Sequence, residues 1–170
     1  NEARVRSLAA SDVYKGKAYI GLLNLVGVDL NPDLQKMPYA NSIHYVSGNF
    51  LHTEFENASY QAITSISVIE HGFDGPALLR EMSRLLKTGG FFIASFDYWP
   101  EKIDQQEKFF GMDWKIFSMQ DVADFVSQAA NYGLVPVGKM RYDGKEKVID
   151  CGGMKYTFGG WFLKEQPERE

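Results

Sequence analysis

Two kinds of residue in this 170-residue chain can do chemistry: a few acids and histidines at the ends of apolar runs, and one unusually aromatic connection. Asp29 ends the apolar run Leu25-Val26-Gly27-Val28 and precedes Asn31-Pro32. A carboxylate has two acceptor oxygens and no donor, which matches a vicinal diol, and an acid at the end of an early strand can hold both hydroxyls of a ribose. The same residue can equally just open the Asn-Pro turn. Glu70 and His71 follow the run Ala62 to Val68. An imidazole there can act as a general base toward a hydroxyl or amine near neutral pH, so His71 is the candidate catalytic residue. The third group is Asp97-Tyr98-Trp99-Pro100-Glu101-Lys102-Ile103, continuing to Phe109-Phe110-Gly111-Met112-Asp113-Trp114. Aromatic faces suit sugars and flat rings, and Asp97, Glu101 and Asp113 can hold hydroxyls, which makes Tyr98, Trp99 and Trp114 candidate substrate contacts. The alternative use of these rings is to cover a core.

The elements that must position these residues can be read from periodicity. Short apolar runs alternate with amphipathic stretches from Leu25 onward, the pattern of a parallel sheet covered on both faces. Strands are expected at Leu25 to Val28, Ile43 to Val46, Ala62 to Val68 and Phe91 to Phe96. Gly75-Pro76 starts a helix whose stripe is Leu78, Leu79, Met82, Leu85 and Leu86, with Gly89-Gly90 as its stop. Ser118 and Asp121 suit the cap and third position of a second helix, which presents Val122, Phe125, Val126 and Ala129 inward and ends at Gly133. Leu134 to Met140 and Tyr156 to Lys164 are two closing strands. Asp143-Gly144 and Gly152-Gly153 lie between them, so a hairpin is the expected link.

Taken in order, four of these segments resemble the class I S-adenosylmethionine-dependent methyltransferases of the small-molecule type (type 11-like). Val26-Gly27-Val28-Asp29-Leu30-Asn31-Pro32 is similar to that family's second strand. Gly48-Asn49-Phe50-Leu51 is similar to the segment after its third strand. Tyr60 to His71 resembles the fourth strand and its exit, and Leu85 to Ile93 resembles the junction into the fifth. The resemblance implies a Rossmann-like α/β fold: a doubly wound, mostly parallel seven-stranded sheet with a C-terminal antiparallel hairpin. It implies S-adenosylmethionine as cofactor, with Asp29 at the ribose, Asn49 and Phe50 around adenine, and Leu30, Ser67 and His71 also at the cofactor. Asn49 stands where the family commonly has Asp; its amide oxygen can accept from the adenine amino group and its NH2 can donate to a ring nitrogen. Gln61 replaces an Asp often found before the fourth strand.

The main departure lies upstream. The family's first strand carries a glycine-rich turn that lets backbone approach the cofactor. Between Asn1 and Asn24 there are only Gly16 and Gly21, and too little chain for helix, strand, loop and helix. Either residues of that loop are missing from the string near Lys15 to Asn24, or the protein lacks it. Omission is the favoured expectation, because a sheet without its central first strand exposes a wide unpaired edge. The chain is read as a single methyltransferase-like domain over residues 1–170.

Bulk properties narrow the partners. A net charge of -4 with no Lys/Arg cluster argues against a general nucleic-acid surface. The longest apolar stretch, Ala18 to Leu30, is interrupted by Asn24 and Asp29, and it falls short of the roughly 20 residues that a spanning helix needs. Cys151 is the single cysteine, which excludes an intrachain disulfide and fits a cytoplasmic protein. Three scattered histidines and one cysteine give no metal-ligand spacing, so no metal is expected. The expected function is methyl transfer to a small molecule such as a sugar or hydroxylated metabolite. The rivals are a non-catalytic relative kept as a binding or scaffold module, and a nicotinamide-dependent oxidoreductase. The oxidoreductase is disfavoured by the lack of G-x-G-x-x-G and by the closing strand pair. The sequence is silent on oligomeric state.

Overall fold

Leu25-Val26-Gly27-Val28-Asp29 is short and mainly β-branched or apolar, and it forms strand β1 (Leu25–Asp29). The computed structural model describes residues 25–37, 41, 43–105, 108–109 and 111–167. The chain divides into two units, Asn1–Thr53 and Glu54–Glu170. The glycine-poor stretch Lys15 to Asn24 lies outside the described residues.

In the first unit β1 pairs in parallel with β2 (Ile43–Ser47), in a register running from Leu25 opposite Ile43 to Asp29 opposite Ser47. Two successive side-chain turns shape the exit of β1. Asp29 Oδ1 accepts the Asn31 N–H, and Asn31 Oδ1 accepts the Asp33 N–H, each at 2.9 Å. A short 3-10 turn (Leu34–Lys36) follows, and its Leu34 is buried with Ile43 and Tyr45 against Leu25 and Met37. This small apolar cluster fixes the face that β1 and β2 bury, and so fixes which way their ends point.

The second unit contains β3 (Tyr60–Ile66), α1 (Gly75–Leu85), β4 (Leu86–Tyr98), the short strands β5 (Lys108–Phe109) and β6 (Met112–Asp113), α2 (Met119–Ala129), β7 (Leu134–Pro136), β8 (Ile149–Cys151) and β9 (Met154–Glu165). Its sheet has the order β3-β4-β9-β7, with β8 paired to β9. β3 and β4 are parallel, and β9 runs antiparallel to β4, β7 and β8. Phe92, Ala94 and Phe96 of β4 lie on the same side as Trp161 and Leu163 of β9, and all five are buried. Phe125 of α2 stacks on Trp161 with ring centroids 4.1 Å apart. Phe158 and Phe162 lie on the opposite side and are exposed.

Both helices begin as their residues dictate. Asp74 accepts the Ala77 N–H at 3.0 Å ahead of Pro76, and Leu78, Leu79, Met82 and Leu85 are buried. Ser118 and Asp121 form a reciprocal capping box at the start of α2. Gly133, at φ +74°, follows the closing 3-10 turn, as a left-handed cap requires.

Several expected boundaries are corrected. α1 ends at Leu85, before Gly89-Gly90, because β4 already begins at Leu86, where it pairs with Tyr60. The first closing strand is Leu134–Pro136 and does not reach Met140; Gly138 has φ +81°, which takes the backbone out of extended geometry. The closing link contains an extra strand, β8. Its tight turn is Gly152-Gly153, both at positive φ, while Asp143-Gly144 lies in coil. The described strands form one parallel pair and one mixed sheet, plus the β5–β6 pair. A mostly parallel seven-stranded sheet is not what the described residues form.

Candidate functional site

In the first unit the candidate cofactor residues come together at the carboxyl ends of two adjacent parallel strands. The Gly48 N–H donates to the Asp29 carbonyl at 2.9 Å, extending the β1–β2 ladder by one step and bringing Asn49 to the same end as Asp29. Asp29 is exposed, and the Asn31 N–H engages only its Oδ1. Leu30 beside it is 58% exposed, an apolar side chain presented to solvent at a strand end. Asn49 Oδ1 accepts the Leu51 N–H at 2.9 Å, so the amide oxygen is partly used by its own loop and the NH2 is the group turned to other work. A Cβ built on Gly48 meets nothing within 4 Å, and Phe50 is partly buried.

These residues fit the nucleoside end of S-adenosylmethionine. An acceptor-only carboxylate suits a ribose diol, Leu30 and Phe50 supply apolar cover for a flat ring, and the Asn49 NH2 suits a ring nitrogen. Open space at Gly48 leaves room for the ring to approach backbone.

In the second unit the ends of β3 and β4 are joined by the segment 113–117. On one side the Gly72 N–H donates to the Asp113 carbonyl at 2.7 Å, and the Lys115 N–H donates to the Glu70 carbonyl at 2.8 Å. On the other side the Phe117 N–H donates to the Asp97 carbonyl at 2.8 Å, and the Trp99 N–H to the Phe117 carbonyl at 3.0 Å. His71 is thereby bridged to Trp114, and its ring meets the Phe109 ring edge-on at 6.2 Å. Ser67 leaves β3 at φ +50°, with its N–H donating to the Ser95 carbonyl at 3.0 Å. A non-glycine residue at positive φ is uncommon and marks a sharp change of direction at the strand exit.

Asp97 and Glu70 are both buried at these strand ends. Asp97 Oδ2 accepts the Trp114 Nε1–H at 2.8 Å, and Asp97 is also bonded to the Tyr156 hydroxyl. Burial pushes the Asp97 carboxyl above its ordinary range despite these two bonds. The Tyr156 hydroxyl is pushed up in turn, by burial first and then by the charge of Asp97. Trp114, Ile116 and Tyr156 form a small core with Trp99, Ile103, Phe109 and the β8–β9 hairpin packed against it.

The three candidate substrate residues therefore sit differently. Trp114 is buried with its N–H taken by Asp97. Tyr98 is buried with its hydroxyl donating to the Tyr142 carbonyl at 2.6 Å. Trp99 is half-buried, with the Lys147 ammonium 4.5 Å from its ring centroid. The residue reading passed over the Asp97–Tyr156 bond and the burial of Glu70. The available signal was an acid placed directly after the apolar run of β4, where a strand end is still inside the fold.

Among the described residues no group of three or more His, Cys, Asp or Glu is placed to hold a metal, and no helix is long and apolar enough to cross a membrane.

Comparison with known proteins gives these ends a family. Residues 11–94, about half the chain, match the family model described as a methyltransferase domain. No curated protein matches the sequence. Among solved structures, the chain is similar to a Haloferax volcanii protein assigned as a methyltransferase and solved with the Trm112 methyltransferase activator. That likeness has TM-score 0.64 and 17% identity over 95% of this chain and 80% of that one. It is also similar to a Listeria monocytogenes protein assigned as an S-adenosylmethionine-dependent methyltransferase, with TM-score 0.63 and 12% identity over 88% and 83% of the two chains. A third likeness is to a protein from Galdieria sulphuraria assigned as a sarcosine dimethylglycine methyltransferase, with TM-score 0.58 and 16% identity over 84% and 70%. At these identities the structures speak for a shared Rossmann-like fold. Residues 11–94 of the chain thus carry an S-adenosylmethionine-dependent methyltransferase domain.

Proposed function

We propose that the protein transfers a methyl group to a small molecule, such as a sugar or other hydroxylated metabolite, with the cofactor's nucleoside held by Asp29, Leu30, Asn49 and Phe50. The observation that carries this reading is the pairing of Asp29 and Gly48-Asn49 at the ends of β1 and β2, set by the 2.9 Å bond from the Gly48 N–H to the Asp29 carbonyl. When bound, S-adenosylmethionine supplies an electrophilic methyl group on a sulfonium, so the protein's task is largely to position the nucleophile. Asp29 holds the ribose hydroxyls as acceptor, and the Asn49 NH2 donates to a ring nitrogen. Ser67 and His71, at the exit of β3, are the further cofactor residues that the family resemblance implies. His71 takes the proton of a hydroxyl or amine acceptor, and its backbone is fixed for this by the bridge to Trp114. Trp99 offers the acceptor an aromatic face, while Tyr98 and Trp114, both buried and bonded to Tyr142 and Asp97, hold that region in place. The same reading takes residues 1–170 as one methyltransferase-like domain; the Haloferax volcanii likeness, which spans 95% of the chain, supports it.

Titration calorimetry with S-adenosylmethionine and S-adenosylhomocysteine tests the reading. Loss of hydrogen bonds to a charged group predicts that Asp29→Ala weakens both ligands about ten- to a hundredfold. Undiminished binding in that variant removes Asp29 from the site. No binding by the folded parent protein favours a scaffold role instead.

A further inference from the structure

After β4 the chain continues through Trp99-Pro100, and the coil of residues 139–148 lies against that stretch. Two contacts fasten the coil. The Tyr98 hydroxyl donates to the Tyr142 carbonyl at 2.6 Å. Gly144 fits so closely that a Cβ there would stand 2.8 Å from Pro100 Cδ and 3.1 Å from Trp99 Cζ3. Lys147 then places its ammonium 4.5 Å from the Trp99 ring centroid. The coil is clamped without this last contact. A cation on a solvent-reached ring is worth only about two- to fivefold in an equilibrium constant, so Lys147 is an exchangeable occupant and not a fastener.

The Tyr98 hydroxyl is pushed up by burial, then by the phenol of Tyr142 and by the carboxylates of Asp143 and Glu101. Asp143 is itself paired with Arg141, and its carboxyl is held below the ordinary range by Arg141 and Lys145. The ring lies just past the carboxyl end of β4, the side on which open α/β sheets bind ligands. A negative aromatic face with a cation already seated on it is the geometry that recognises ammonium groups.

We propose that the face of Trp99 that carries Lys147 is a binding site for a quaternary or protonated ammonium group, with the Lys147 ammonium occupying it until ligand arrives. Resting on the methyltransferase reading above, the ligand is the methyl acceptor, a hydroxylated metabolite that also carries a cationic nitrogen. The nitrogen on Trp99 is a handle held apart from the atom that is methylated.

The test uses tetramethylammonium chloride as probe and neopentyl alcohol as its neutral counterpart of similar shape, at matched ionic strength. Binding is followed by the indole N–H resonances of the full chain. The Trp99 resonance is assigned by its absence in Trp99→Leu or, should that variant misfold, by proximity to Pro100. Tetramethylammonium is expected to shift the Trp99 resonance, and the alcohol is not. In Lys147→Gln, an exposed coil position that the fold tolerates, the half-saturating concentration falls about two- to fivefold. No shift in Lys147→Gln, an equal shift with the alcohol, or equal affinity in parent and variant each overturns the proposal. Calorimetry with S-adenosylhomocysteine on the same samples separates the two readings. Binding of that ligand without an ammonium response sinks only the cation site. An ammonium response without cofactor binding keeps the site and sinks its assignment to a methyl acceptor.

Discussion

Asp29, Asp97 and Asp121 show how much of a carboxylate's role the sequence carries. Asp29 could be picked out because strand end, acid and turn are contiguous, and the structure adds only which oxygen Asn31 engages. Asp121 was legible as the partner of Ser118, since a capping box is written within four residues. Asp97 was visible only as an acid near aromatics. Its bond to Tyr156 depends on the β4–β9 register, which no local pattern reveals. The Asp121 environment has a measurable consequence. Burial alone would raise its carboxyl, but hydrogen bonds from Lys115 and Ser118 and the charge of Lys115 outweigh that and hold it below the ordinary range. A depressed carboxyl contributes stability that is present above its unfolded value and lost as pH falls through the folded one. Asp121→Asn is therefore expected to lower stability at neutral pH by about 1 kcal/mol, the usual worth of a cap. The melting-temperature gap between variant and parent should close as the pH drops below about 4. A gap that persists in acid would show that lost packing, not the charge, was responsible.

Elements were readable where one segment decides its own fate, and less so where a neighbour decides. The starts of α1 and α2 were placed correctly from Gly75-Pro76 and from Ser118, and the structure adds Asp74 as the cap of α1. The early end of α1 was not, because β4 is extended back to Leu86 by pairing with Tyr60, a tertiary demand that overrides a Gly-Gly stop. Gly159-Gly160 in β9 illustrates the same limit. As letters they read as strand weakeners, yet a Cβ on Gly160 would lie 2.6 Å from the Ala94 carbonyl oxygen, so the β4–β9 backbones approach too closely for a side chain. Gly160→Ala is expected to cost about 1–3 kcal/mol by forcing β4 and β9 apart. Gly48→Ala, with open space around it, should stay within about 0.5 kcal/mol of the parent. Thermal melts of the two variants check the contrast, and equal losses would mean that the close approach does not govern.

For the whole molecule, an α/β class with parallel pairs and a late antiparallel strand could be foreseen from alternating runs and turn glycines. The extra strand β8 and the stitching of the β3 and β4 ends by residues 113–117 could not, since both depend on contacts between distant segments. Ligand linkage gives a test at this scale. S-adenosylhomocysteine at about a hundredfold excess over its dissociation constant should stabilise the fold by about 2.7 kcal/mol, raising Tm by roughly 5–10 °C for a chain of this size. The Asp29→Ala variant at the same concentration should show little of this rise, and a full rise there would place the binding energy elsewhere. The position of β9 also bears on how the protein is made. β4 finds its second neighbour only in a strand that spans Met154–Glu165, late in the described sequence. On the ribosome, the apolar residues Phe91 to Phe96 emerge while that neighbour is still unsynthesised. At ordinary elongation rates the edge of β4 stays bare for a time on the order of several seconds. An unpaired apolar edge is a template for joining another chain, so the growing polypeptide passes through a window in which a holding chaperone, or rapid closure by β9, decides between solubility and aggregation.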